Sequence, residues 1–337
     1  MSANGIPVRV MRGSECESLH RVHGVVVDVD SGQEAPFGEP DRPAYWRSAM
    51  KPFQALPLVE DGAIVACGWE PADLALCCAS HVGSDRHVSR AAAMLRSLGL
   101  TEEALMCGPH RPYDEQAARA LECRGAAPGR LHNNCSGKHV GMLALSLHHG
   151  WPVESYAEFP HAVQSRIRRE LAMWLDVEPD SLPWATDGCG VPTPYLSVRR
   201  MARAYALLGS SDRAAARSVV EAMTSFPELV AGPGRLATRV MEATGGRLLG
   251  KNGAEGVFCV ASLSEGWGAA LKVSDGATRA VGPALLEMLD SLGLLTAGEL
   301  AELAEFRSTE ILNTRSRRVG RVVVESRCGV RSGAAAS

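Results

Sequence analysis

Alternation and helical periodicity divide this chain into three stretches. Ile6 to Met11 is short and β-prone, and His23 to Asp30 (HGVVVDVD) alternates around a valine-rich run before the turn signal Asp30-Ser31-Gly32. A proline-rich loop follows from Ala35 to Pro43. From about residue 68 to 245 the apolar spacing is helical, as in HVSRAAAMLRSLG (87–99), EQAARALECRG (115–125), HAVQSRIRRELAMWL (161–175) and VRRMARAYALLG (198–209). The first of these ends on Gly99, a suitable C-cap. After Ala254 the strand pattern returns. EGVFCVASL (255–263) and WGAALKVSDG (267–276) flank Ser264-Glu265-Gly266, a hairpin signal. Helical runs over 281–293 and 298–306 precede a last strand, GRVVVESRC (320–328).

Strands at both ends with helices between them predict an α/β (α+β) fold. The N- and C-terminal strands would share one antiparallel sheet, and the helical middle would be a large insertion beside it. The expected divisions are 1–67, 68–245 and 246–328, with 329–337 as a disordered tail. A doubly wound parallel sheet would need regular strand–helix alternation, which this pattern lacks.

Composition narrows the classes. The 337 residues are 46% hydrophobic and 22% charged, as in ordinary globular proteins. A net charge of −3 gives no field that would attract nucleic acid or a membrane surface. No run of about 18 apolar residues is present, and the start MSANGIPVRVMRG lacks the pattern of a signal peptide. The expectation is a cytoplasmic protein without nucleic-acid or membrane partners. Its ten cysteines are then expected to be thiols, most of them, such as Cys77 and Cys78, acting as small buried hydrophobes.

The segment Trp46-Arg47-Ser48-Ala49-Met50-Lys51-Pro52 carries the first chemical signal. Pro52 belongs in a first helical turn, and a helix starting near Ser48 puts its hydroxyl on the same face as the Lys51 amine. A serine becomes a nucleophile when a neutral amine can take its proton. Alone, S-x-x-K reads equally as a helix cap followed by a surface lysine. Two further segments add context: Ala79-Ser80-His81 at a break after an apolar run, and Lys251-Asn252-Gly253 just before a strand. Serine hydrolases of the β-lactamase and penicillin-binding class use three such elements in this order. Lys272 lacks the glycine two residues on, which favours Lys251.

Several segments together resemble the L-asparaginase II family, the Rhizobium-type inducible asparaginases. They are SLHRVH (18–23), RSAMKP (47–52), CASH (78–81), NCSGKHVGML (134–143), TDGC (186–189), PTP (192–194) and GKNGA (250–254), collinear over most of residues 15 to 285. The resemblance implies a fold similar to glutaminases and β-lactamases, and hydrolysis of L-asparagine to aspartate and ammonia. By position it implies two serine–lysine pairs, Ser48 with Lys51 and Ser80 with Lys251, and a zinc held by Cys135, Lys138 and Cys189. A homodimer is the family's expectation. One departure is Val82-Gly83-Ser84-Asp85-Arg86-His87, where members often carry a glutamate before Asp-Arg-His, so a loop carboxylate has shifted.

The residues can also be weighed without the resemblance. Cys135 and Lys138 share a helix face, and Cys189 sits in a glycine-flanked turn, so zinc competes with two structural cysteines at an anion-binding helix start. Asp187 could hold a substrate α-amino group or simply close a turn, and Arg47 could hold a carboxylate or a surface ion pair. His81 reads as a substrate contact or as scaffold, and His139 as a participant in the chemistry or as hydrogen-bonding scaffold. Two alternatives to an asparaginase stay open: a penicillin-binding or β-lactamase-like hydrolase, and a non-catalytic zinc-bearing amino-acid-binding protein.

Overall fold

The structure, a computed structural model, describes residues 4–324. Eight strands form one antiparallel sheet: β1 (Ile6–Arg12), β2 (Glu15–Asp28), β3 (Glu34–Phe37), β7 (Leu248–Asn252), β8 (Val257–Ser262), β9 (Trp267–Val273), β10 (Ser308–Leu312) and β11 (Arg318–Val324). Their order is β10-β11-β1-β2-β9-β8-β7, with β3 also paired to β2. N- and C-terminal strands thus share a sheet, as the pattern predicts. Val8 stands opposite Val324 on one side and His20 on the other, and Val25 stands opposite Ala270.

The valine run of β2 is buried on both faces. Val25 and Val27 pack into one core with the helical region, and Val22 and Val26 into a second core. The helix Val198–Gly209 covers the first face, against β2, β8 and β9. The helix Val281–Ser291 covers the second, against β1, β2, β9 and β11. Close approach on the first face requires a glycine in β9, because a Cβ on Gly268 would fall 2.2 Å from the Ala206 backbone nitrogen.

The helical region is built from Lys51–Glu60, Pro71–Cys77, Asp85–Ser97, Ser136–His149, Ala162–Leu175 and Ala214–Ser225. It also holds a feature the helical periodicity hides: a small sheet ordered β4-β6-β5, from β4 (Pro43–Tyr45), β5 (Trp184–Thr186) and β6 (Pro192–Ser197). Pro192 and Pro194 argue against a strand by pattern, since proline cannot donate to a ladder. They are tolerated because that half of β6 faces only β5, while Tyr195 to Ser197 face only β4. Two more differences concern strand limits. The polar start of β2 extends the hairpin with β1 beyond the core, and Lys251 lies inside β7, opposite Cys259, rather than ahead of a strand. The last strand is described as far as Val324; its expected remainder and the tail lie outside the described residues.

The glycines of NCSGKHVGML set how closely the helix Ser136–His149 lies against its neighbours. A Cβ on Gly137 would fall 2.2 Å from the Leu76 carbonyl oxygen, and one on Gly141 would meet Leu58 and Cys77 at about 3 Å. Leu76 sits at the end of the helix that leads into Ser80. Gly137→Ala is therefore expected to destabilise the protein by about 1–3 kcal/mol through overpacking. A lower urea midpoint at unchanged slope would register it, and an unchanged midpoint would show that the two helices can separate freely.

Candidate active site

Ser48 lies in a single turn, Arg47–Met50, that runs directly into the helix Lys51–Glu60. Three aromatic side chains without solvent exposure brace this segment from behind. The Phe53 ring lies 4.9 Å from Trp46 and 5.5 Å from Tyr205, and the Tyr205 hydroxyl donates to the Ala49 carbonyl. Arg47 adopts φ of 55°, a conformation few non-glycine residues take, and its N–H donates to Thr193 Oγ1 at 3.0 Å. Strain of this kind collects at functional sites.

Ser80 comes from the irregular, fully buried loop after the helix Pro71–Cys77, where its N–H donates to the Val230 carbonyl at 2.8 Å. His81 helps to hold the loop. Its Nδ1 accepts the Gly83 N–H at 3.1 Å, so Nε2 carries the proton and donates to Ser136 Oγ at 2.9 Å. Burial, and the His87 ring stacked 4.8 Å away, push the His81 imidazole well below its ordinary value. Of the two readings of His81, substrate contact or scaffold, this geometry makes it a neutral strut. His139 is also buried; its Nδ1 meets the Tyr156 hydroxyl at 2.7 Å.

Both expected lysines meet at Ser80. Lys251 Nζ lies 2.8 Å from Ser80 Oγ, and Lys51 Nζ lies 3.0 Å from the same oxygen. Lys51 also donates to the Ala79 and Asn134 carbonyls, and Lys251 to the Asn252 carbonyl at 2.9 Å. Lys51 and Lys251 are both buried. Burial first, and the Lys51 charge second, push the Lys251 amine well below the usual lysine range. Ser48 forms no hydrogen bond to Lys51 here, because that amine is turned toward Ala79, Ser80 and Asn134. Ser48 and Ser80 nevertheless line one cavity of about 460 Å³.

A second polar centre lies beside the first. Lys138 Nζ is 2.8 Å from Cys189 Sγ, and the Cys135 thiol, which donates to Asn134 Oδ1 at 3.3 Å, lies beside Cys189. The neighbouring Cys135 thiol and the Lys138 charge hold Cys189 well below the ordinary thiol range against the opposing effect of burial. The Cys135 thiol is pushed up to about 12 by its neighbour Cys189 and by burial. Burial alone would lower Lys138, but Cys189, Cys135 and Asp187 outweigh it and hold the ammonium above its usual range. The three residues expected to bind metal are thus brought together. Two sulfurs fit a tetrahedral zinc as thiolates, but the Lys138 ammonium has no lone pair to give, so it could complete the set only as a neutral amine, after losing its proton. Among the described residues no group of three or more His, Cys, Asp or Glu gathers in a metal-binding arrangement.

Arg47 and Asp187, each expected at the substrate, are joined to each other: Arg47 Nε lies 2.6 Å from Asp187 Oδ1. The same oxygen accepts the Gly188 N–H.

The L-asparaginase II family model matches residues 8–324. The chain belongs to the L-asparaginase II family. No curated protein sequence matches it. Among solved structures it is similar to a putative β-lactamase from Bacteroides dorei DSM 17855, at 14% identity, TM-score 0.41, over 80% of this chain and 94% of that one. It is similar, too, to an octameric penicillin-binding protein homologue from Pyrococcus abyssi, at 13% identity, TM-score 0.38, over 86% of this chain and 74% of that one. Membership of the L-asparaginase II family makes the chain a hydrolase of the amide-acting kind. No helix among the described residues is long and apolar enough to cross a membrane.

Sequence reasoning missed three contributors to this asparaginase-family site. Thr193 pins the Arg47 backbone, and the carbonyls of Asn134 and Asn252 receive lysine protons. All three lie in the quoted motifs, but a backbone acceptor leaves no mark on residue type. The Arg47–Asp187 pair yields a stability prediction. Burial raises the Asp187 carboxyl, but Lys138 and Arg47 outweigh it, so the folded value is lowered. Its contribution is therefore complete above the unfolded value of about 3.9 and is lost as pH falls through the lower folded value. Asp187→Asn should cost about 1–3 kcal/mol at neutral pH. The gap from wild type should close toward strong acid in denaturation curves; a pH-independent gap would contradict the ion pair.

Proposed function

We propose that this chain is an L-asparaginase, hydrolysing L-asparagine to L-aspartate and ammonia through a serine–lysine relay. The observation that carries the reading is the Ser80 hydroxyl within hydrogen-bond reach of two buried lysines, on the wall of the cavity that Ser48 shares. In this reading the Ser48 oxygen attacks the side-chain amide carbon. Lys51 takes the Ser48 proton only as it passes one of its own to Ser80, which in turn passes one to Lys251, the amine that burial and neighbouring charge favour as neutral. The relay returns a proton to the amide nitrogen, the C–N bond breaks, and ammonia leaves an acyl-enzyme. Water then attacks the ester, releases aspartate and restores the Ser48 hydroxyl.

Cys135, Lys138 and Cys189 would hold a zinc beside this relay. When bound, the metal supplies a fixed positive charge next to the wall formed by Asn134. Elemental analysis of protein prepared without chelator is expected to give one zinc per chain, and Cys135→Ala or Cys189→Ala to lose it. Wild type free of zinc would return both cysteines to a structural role.

The relay predicts its own kinetics. Ser48→Ala should lower kcat for ammonia release by at least about a thousandfold, with folding unchanged, and Ser48→Ala with Ser80→Ala should be little worse than the poorer single variant. Near-normal turnover in Ser48→Ala, or a mass adduct on another residue during turnover, would overturn the assignment. Because Lys251 must be neutral to act, kcat/KM should fall as pH drops through its lowered value. Lys251→Gln should lose both the activity and that limb. A wild type that opens a chromogenic β-lactam but leaves asparagine intact would favour the penicillin-binding-like alternative.

A further inference from the structure

Beyond the serines, the cavity carries two charged side chains that the relay does not use. Arg235 and Glu255 both line it, and both are exposed. Neither forms an ion pair among the described residues. The Arg235 guanidinium makes one hydrogen bond, from Nη2 to the Tyr113 carbonyl at 3.2 Å. The cations expected at the two serines are already engaged. Arg47 is held by Asp187, and Lys51 and Lys251 are buried and turned onto Ser80.

Glu255 is built into its place. It sits in the short connection between β7 and β8, four residues after Lys251, with φ of 56°. Lys272 pins that backbone by donating to the Glu255 carbonyl at 2.7 Å. The carboxylate lies over Gly276, where a Cβ would fall 2.4 Å from Oε2. A non-glycine residue persists in the left-handed region where its surroundings enforce it. Arg235 precedes the helix Leu236–Ala243, whose first two residues line the same cavity. The loop after Ser80 offers no such charge, since Asp85 is exposed and not part of the cavity wall.

We propose that Arg235 and Glu255 recognise the two ends of an amino-acid zwitterion, Arg235 taking the α-carboxylate and Glu255 the α-ammonium. This rests on the asparaginase reading and sharpens it: the substrate class is a free amino acid bearing a side-chain amide, and peptide-bound carboxamides are excluded. A cation and an anion without ion pairs, on one cavity, match a zwitterion in sign, and each would gain a charge-assisted hydrogen bond from it; the Lys272 ammonium bears on Glu255 but is held by the Glu255 and Val273 carbonyls.

Three amides separate the two contacts: L-asparagine, succinamate (no amine) and 3-aminopropanamide (no carboxylate). Arg235→Gln should raise KM about ten- to a hundredfold for asparagine and succinamate, with kcat within about twofold, because the contact is equal in ground and transition states. For 3-aminopropanamide it should change little. Glu255→Gln should show the crossed pattern, weakening asparagine and 3-aminopropanamide while sparing succinamate. Equal effects on all three amides, or none, would overturn the proposal while leaving an active asparaginase intact. If wild type releases ammonia from none of them, the asparaginase reading fails, and calorimetric titration with L-aspartate decides the charged pair separately. Weaker aspartate binding in each variant supports it; unchanged affinity, or no binding to wild type, overturns it.

Discussion

Two lysines forced out of water around one hydroxyl are the constraint on which this molecule depends. Removing an ammonium from water costs several kcal/mol even after relaxation. Carbonyl oxygens of Ala79, Asn134 and Asn252 offset part of that cost by accepting lysine protons. The remaining tension falls on Lys251, whose charged form meets both the dry surroundings and the charge of Lys51. Such a pair favours the neutral form of an amine beside a serine far more than water does for a free lysine.

The second buried centre shows how neighbours decide the same chemistry. Lys138 is as deeply buried as Lys251, yet it moves the other way, because Cys189, Cys135 and Asp187 surround it instead of another ammonium. Its partner Cys189 is correspondingly stabilised as a thiolate. One buried lysine is thus disposed to take a proton and the other to keep one. The scaffold that permits this is tight. Gly137 lets one helix press on the end of another, and Trp46, Phe53 and Tyr205 fill the space behind the S-x-x-K turn.

Where the geometry departs from expectation, the reason is spatial. Position along the chain pairs Ser48 with Lys51, since three residues on a helix share a face. In space Lys51 finds three acceptors on the far side, in a loop and at a helix start that no local pattern relates to it. Arg47 and Asp187 likewise meet as an ion pair across 140 residues of sequence. Ser80 gains its central place because the loop that carries it falls between β7 and the helix Lys51–Glu60.

The sequence by itself determined the sheet from both chain ends, the long helices, the motif residues of both polar centres and the family. Those features are written in local periodicity and in side-chain types that few other roles require. The tertiary structure alone decided which serine hydroxyl the two lysines reach, which amine burial disfavours as a cation, and that Arg235 and Glu255 reach the cavity at all. It also decided the β4-β6-β5 sheet, since the prolines of β6 are acceptable only because each half of that strand has a single neighbour. These outcomes depend on distances between segments far apart in the chain and on the exclusion of water between them, and neither quantity has a local trace in the order of residues.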